Sequence, residues 1–248
     1  MEISRLPRPG GATLAYAARK GESPGLLWLG GFKSDMTGTK ATALDAFAAR
    51  TRRAFIRFDY FGHGASSGDF RLGTISRWRD DALCVLDELC EGPQILIGSS
   101  MGGWIATLAA LARPEKVKAI LYIAPAPDFT EKLLWAQMPQ DVRRAVMEKG
   151  EWLRPSAYDP QPYVITRALI EDGASNNVLD APIPIRVPVR VLHGMQDEDV
   201  PWTHALRLVD RLESTDIVVT LVKTGDHRLS TPADIARLEA VLEELIGA

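Results

Sequence analysis

Cysteine, histidine and long apolar runs are all scarce in this 248-residue sequence. No apolar stretch approaches the ~18 residues that a membrane-crossing helix needs, so no membrane span is expected. The opening segment MEISRLPRPG lacks the charged-then-apolar pattern of a secretory signal. The expectation is therefore a cytoplasmic protein. The two cysteines, Cys84 and Cys90, lie six apart in a predicted helix. Six residues turn a helix by roughly 600°, which points the thiols apart, argues against a disulfide and suits a reducing compartment. Strong charge is missing too. A net charge of −3 removes the electrostatic case for nucleic acid or an anionic membrane as partner. The one basic cluster, Arg50, Arg52 and Arg53, falls where a helix should end, and cations there complement the helix dipole.

What is present is an ordinary globular balance, 46% apolar and 25% charged residues, in a chain long enough to bury a large core without staples. Short, almost continuously apolar runs occur at 26–30, 54–60, 94–99, 117–124, 187–194 and 216–223. Such runs suit strands buried on both faces. Amphipathic segments at 39–51, 76–91, 101–112, 203–213 and 231–246 alternate with them, and Thr231-Pro232 reads as an N-cap followed by a first-turn proline. The pattern predicts an α/β fold, a mostly parallel central sheet with helices on both faces. The rhythm breaks between Pro125 and Pro188. A helical run from Leu133 to Lys149 is followed by scattered prolines, Pro160 among them. Leu133, Trp135, Met138, Trp152, Tyr158 and Tyr163 need apolar cover there, so 125–188 is expected to be a cap or lid within a single domain, 1–248.

The stretch QILIGSSMGGW (94–104) carries the chemistry. Gly98-Ser99-Ser100-Met101-Gly102 fits G-x-S-x-G, placed between a buried strand and a small-residue helix, the setting a nucleophile elbow requires. Glycines flanking the serine let strand and helix pack closely around a strained backbone. Only Ser100 has glycine at both −2 and +2, so Ser100, rather than Ser99, is the expected nucleophile. A serine hydroxyl needs a base, and the base an orienting acid. In this strand–turn–helix context they follow in the order Ser, Asp or Glu, His. Of the four histidines, His227 lies after the last strand and before the last helix, where the base belongs. His63, His193 and His204 read as structural or pocket-lining. LHGMQDEDVPW (192–202) offers Asp197, Glu198 and Asp199 as the acid. The spacing H-G-x-x-D-x-x-V-P favours Asp197, with Asp128, one strand earlier, as the alternative. An oxyanion needs two preorganised N–H donors. Met101, after the nucleophile, supplies one, and Phe32, after the paired glycines of LLWLGGFKSD, is expected to supply the other.

Several stretches extend this reading. GTKA (38–41), IRFDYFGHGASSG (56–68), GPQILIGSSMGGW (92–104), ARPEKV (112–117), LHGMQDEDVPW (192–202), STD (214–216) and GDHR (225–228) resemble the mitochondrial acyl-glucuronide esterase and palmitoyl-protein thioesterase group of the α/β-hydrolase superfamily. The resemblance spans essentially the whole chain and maps the group's triad onto Ser100, Asp197 and His227. It implies a serine hydrolase acting on carboxylic esters or thioesters, small-molecule or S-acylated protein, through an acyl-enzyme. The animal members carry a transit peptide that this sequence lacks, so it reads as a bacterial or otherwise compact homologue. No metal or organic cofactor is expected. No tight His/Cys/carboxylate ligand set is evident, and GSSMGG lacks the lysine of a phosphate loop. Carbon–carbon bond hydrolases also use serine on this fold and stay open. So does a non-catalytic small-ligand receptor, although such a receptor is expected to have lost a triad member. The serine at the elbow argues against the carboxylate-nucleophile enzymes.

Overall fold

A computed structural model describes residues 2–155 and 162–247. The elements run β1 (Ser4–Pro7), β2 (Thr13–Arg19), β3 (Glu22–Leu29), α1 (Thr39–Thr51), β4 (Arg53–Phe58), α2 (Ile75–Glu88), β5 (Gln94–Ser99), α3 (Met101–Ala112) and β6 (Val117–Ile123). Then follow α4 (Gln140–Lys149), β7 (Glu151–Arg154), β8 (Tyr163–Thr166), α5 (Arg167–Ala174), β9 (Val189–Gly194), α6 (Trp202–Arg211), β10 (Ile217–Val222) and α7 (Pro232–Gly247). An eight-stranded sheet has the order β1-β2-β4-β3-β5-β6-β9-β10, with β2 antiparallel to both its neighbours and every later pairing parallel.

Side chains alternate between two faces along each strand, and the apolar runs fill both. Leu27, Leu96, Ile120 and Val189 stand in register across four neighbouring strands and join a core with Trp78 and Val85 of α2, Trp104 of α3 and Leu208 of α6. Leu26, Ile95 and Ala119, one residue out of phase, face Leu44 and Phe47 of α1 and Leu238 and Leu242 of α7. Fully burying each such Leu or Ile stabilises the fold by about 1.5–3 kcal/mol. Helix ends follow local chemistry. Thr231 Oγ1 accepts the Asp234 N–H at 3.2 Å while Asp234 accepts the Thr231 N–H at 3.1 Å, a reciprocal box at the start of α7. Arg52 closes α1 in a left-handed conformation, φ 58°, and Arg50 pairs with Glu239 at 2.8 Å.

The differences from the sequence expectation are local. α2 stops at Glu88, so Cys90 lies beyond the helix, and both thiols are free. The run from Leu133 to Lys149 is broken: a wide helical turn, Thr130–Trp135, precedes α4, and Pro139 sits at the N-cap, where proline can begin a helix but not continue one. The 125–188 stretch leaves the sheet between β6 and β9 and carries the β7–β8 hairpin and α5, neither of which the sequence pattern showed. Met138 is buried, while Leu133, Trp135, Trp152 and Tyr163 are half-buried. Tyr158 and Pro160 lie outside the described residues. No helix among the described residues is long and apolar enough to cross a membrane.

Candidate active site

The parallel strands end on one side of the sheet, where crevices open in folds of this kind. There the loops after β3, β5, β9 and β10 converge. Ser100, between β5 and α3, takes φ 55° and ψ −121°, backbone values that a side chain rarely adopts. The glycines explain how the turn closes. A Cβ on Gly98 would come within 2.5 Å of the Gly102 carbonyl oxygen, and one on Gly102 within 2.0 Å of the Leu29 carbonyl oxygen. The Ser100 N–H donates to the Ile123 carbonyl at 2.9 Å, and its carbonyl accepts the Ala126 N–H at 3.1 Å. The elbow is thus held from both sides.

His227 comes from the loop after β10 and Asp197 from the loop after β9. The imidazole Nε2 lies 3.0 Å from Ser100 Oγ, and Nδ1 lies 2.6 Å from Asp197 Oδ2. The Asp197 side chain is fully buried, and burial alone would raise its pKa. Hydrogen bonds from His193 and His227 and the Val200 amide outweigh that and hold it at about 2. An ionised carboxylate puts the proton of the neutral imidazole on Nδ1 and leaves Nε2 free to accept from the serine hydroxyl. One Asp197 oxygen also accepts the N–H groups of Asp199 and Val200 at 3.0 and 2.8 Å.

Asp128, the alternative acid, has another task. It is fully buried and accepts the N–H groups of Val178 and Leu179 at 2.8 and 2.9 Å, fastening the returning chain. His204 is also structural, with Nε2 2.7 Å from the Pro127 carbonyl. His193 and His63 do more than their sequence positions suggested. His193 Nε2 reaches both the Val200 carbonyl at 2.9 Å and Asp197 Oδ2 at 3.2 Å, so the carboxylate faces two imidazoles.

His63 holds the loop that carries Phe32. Its Nε2 accepts the Lys33 N–H at 3.1 Å, and its Nδ1 faces the Phe61 carbonyl at 3.2 Å. Burial lowers its pKa to about 4, which keeps Nε2 an acceptor. Lys33 itself is left-handed, φ 61°, and a Cβ on Gly31 would meet Ser100 Cβ at 3.3 Å. Gly31 therefore lets this loop lie against the elbow. The Phe32 ring sits edge-on to Phe70, Trp78, Phe129 and Tyr163, with centroids 5.0–5.9 Å apart. The clue to His63 was its place in FGHG, within a stretch read only for its resemblance.

Ser100, Phe32, Met101 and His227 border a cavity of about 430 Å³. Phe129, Leu133, Leu134 and Ile165 supply an apolar wall from the 125–188 stretch, and Lys33, Ser34, Asp35 and Lys40 a polar one. Asp197, Asp199 and His227 place one donor atom each within 4.8 Å of one another. Asp197 and His227 are bound to each other, however, so the group reads as an acid–base couple rather than a metal centre.

A fold with a parallel sheet, a strained serine after β5 and an imidazole–carboxylate pair on the last two strand loops defines a class of hydrolases. The chain belongs to the alpha/beta hydrolase family, whose model matches residues 24–238. Among curated proteins it is 43% identical over 245 residues to the mitochondrial palmitoyl-protein thioesterase ABHD10 of Rattus norvegicus, covering 98% of this chain and 82% of the relative. Among solved structures, alpha/beta hydrolase domain-containing protein 10 from mouse superposes with a TM-score of 0.93 at 42% identity, covering 100% of this chain and 99% of that one. A chain from Agrobacterium vitis S4, provisionally named a hydrolase, gives 0.95 at 44% identity, covering 99% and 98%. Hydrolysis, expected from the residues, is thus also the chemistry of the family.

Proposed function

We propose that this chain is a serine hydrolase that cleaves thioesters or carboxylic esters of apolar acyl groups through an acyl-enzyme. The observation that carries the reading is the continuous contact from Ser100 Oγ through the His227 ring to Asp197, at 3.0 and 2.6 Å. In the proposed cycle His227 Nε2 takes the Ser100 proton as Oγ attacks the carbonyl carbon. The amides of Phe32 and Met101 receive the oxyanion, and Asp197 stabilises the imidazolium. Collapse of the intermediate expels the thiol or alcohol, which takes the proton from Nε2. Water then repeats the sequence and frees the acid.

The acyl chain is assigned to the wall of Phe129, Leu133, Leu134 and Ile165, which makes residues 125–188 a cap that shapes the acyl site. A cavity of about 430 Å³ lies within the range of small-molecule sites. The thioesterase relative at 43% identity supports S-acylated protein or a small acyl thioester as substrate. The free thiols of Cys84 and Cys90 fit a reducing compartment, such as the cytoplasm expected from the sequence.

Labelling with a fluorophosphonate probe tests the nucleophile. Wild type and Ser99→Ala label, and Ser100→Ala does not. Labelling that survives Ser100→Ala and is lost in Ser99→Ala overturns the assignment, and a wild type that never labels favours a receptor. Comparing p-nitrophenyl esters of increasing chain length with acyl-CoA and S-acyl peptides then orders the substrates.

A further inference from the structure

Lys40 takes no part in the chemistry above, yet it borders the same cavity as His227, Arg228 and Ser230. It is the second residue of α1, in the first turn, where the helix dipole disfavours a cation and no acidic side chain of that turn offsets it. The side chain is partly buried, which adds to that cost. Its ammonium crosses a separation of 188 residues to donate to the Arg228 carbonyl, and it reaches Ser230 Oγ at 3.4 Å.

Both acceptors lie just after the base in the chain. Arg228 follows His227 directly, and residues 223–231 form neither helix nor strand. The loop is fixed by point contacts: Gly225 N–H to the Val222 carbonyl at 3.0 Å, Leu229 N–H to Asp226 Oδ1 at 2.9 Å, and the bonds from Lys40. The Gln196 N–H also donates to the Gly225 carbonyl at 2.9 Å, and the Lys40 bonds join the loop to the N-terminal half of the chain, as the His227–Ser100 contact itself does. The charged groups facing the ammonium are Asp226 and Arg228 from this loop and Asp234 from the first turn of α7, itself paired with Arg237 at 3.0 Å. Burial is the largest influence on the lysine and lowers its pKa to about 8, with Asp226 and Asp234 opposing and Arg228 adding to it.

We infer that Lys40 is a positioning residue, whose ammonium clamps the His227 loop to the start of α1 and holds the imidazole against Ser100. The inference rests on the reading of His227 as the base. A neutral amine donates to the same acceptors more weakly, because a charged donor makes the stronger hydrogen bond. The clamp therefore loosens as pH rises through the lysine's titration.

The test follows kcat and KM for p-nitrophenyl butyrate, an uncharged substrate, from pH 6 to 9.5. It uses wild type, Lys40→Met, Lys40→Arg and His227→Ala, with thermal melting at each pH. Displacing a reacting group by about 1 Å costs up to 10²-fold. Lys40→Met is therefore expected to lose roughly tenfold to a hundredfold in kcat with KM little changed. Wild-type kcat falls above pH 8, Lys40→Met shows no such alkaline limb, and Lys40→Arg, which stays charged, regains most of kcat and keeps it at pH 9.5. An unchanged kcat and alkaline limb in Lys40→Met overturns the inference, as does a rise in KM alone, which marks a substrate contact. If Lys40→Met does not fold, the arginine variant decides: a limb still near pH 8 refutes the clamp. Full activity in His227→Ala defeats the base assignment instead, so the two failures are separable.

Discussion

Replacing Asp197 with asparagine is the most exacting test of the site, because both carboxylate oxygens face donors only. One oxygen accepts the Asp199 and Val200 amides, and the other lies 2.6 Å from His227 Nδ1 and 3.2 Å from His193 Nε2. An asparagine NH2 group must point at one pair or the other, setting donor against donor. The backbone pair cannot adapt, so the NH2 is expected to turn toward the imidazoles. His227 then moves its proton to Nε2, where it can no longer take one from Ser100. A wrong tautomer of this kind lowers kcat by about 10⁴ in serine proteases, and the same loss is expected here with little change in KM. Stability falls as well. Holding the carboxyl at about 2 instead of its ordinary 3.8 corresponds to about 2 kcal/mol at neutral pH. The sign follows from the depressed pKa. The stabilisation is complete above 3.8 and disappears as pH drops through about 2, so Asp197→Asn should flatten that part of the acid-denaturation curve. The assay is steady-state hydrolysis of a p-nitrophenyl ester, with chemical denaturation between pH 2 and 7. An Asp197→Asn enzyme within tenfold of wild type, beside an inactive but folded Asp128→Asn, would refute the reasoning and move the acid one strand earlier.

His227→Ala should lower kcat by about 10⁴ or more, whereas His204→Ala, which removes only the bond to the Pro127 carbonyl, should cost stability and leave kcat near wild type; equal losses in kcat would mean the base is misassigned. His63→Phe leaves the Lys33 N–H without its acceptor, at about 1–3 kcal/mol in stability. It should lower kcat on the order of 10²-fold if the Phe32 amide shifts, while His63→Gln, which can still accept, should lose less. Wild-type stability should also decline as pH falls below 6.5, because the unfolded chain takes up protons that buried His63 and His204 refuse, and His63→Phe should show a smaller decline, keeping the part due to His204.

Much of this molecule was legible in order along the chain. α1 and α3 begin and end where periodicity put them, at Thr39–Thr51 and Met101–Ala112, and Thr231 caps α7 through its local box with Asp234. These features depend on near neighbours, and near neighbours are what periodicity, caps and glycine spacing report. Ser100 was separable from Ser99 by glycine spacing, a local signal, since a Cβ on Gly98 would meet the carbonyl of Gly102 four residues on, although the clash that excludes a Cβ on Gly102 is with Leu29 of the neighbouring strand. Chain order and motif spacing also pointed to His227 and Asp197, and the resemblance mapped the same three residues.

What only the tertiary structure decided are choices between equivalent side chains. Asp128 and Asp197 both follow buried strands, and only the fold turns one toward two backbone amides and the other toward His227. His63 and His193 looked like bystanders because their partners, the Lys33 amide and the Asp197 carboxylate, depend on how separate loops meet. The β7–β8 hairpin was hidden because its four-residue strands are too short for alternation to show. Sequence by itself determined the sheet, the elbow and the candidate nucleophile and base, because backbone sterics and hydrophobic periodicity act locally. The hydrogen-bond partners of Asp128 and Asp197 and the shape of the cavity waited for the fold, because such partners and enclosed space exist only once distant segments are packed together.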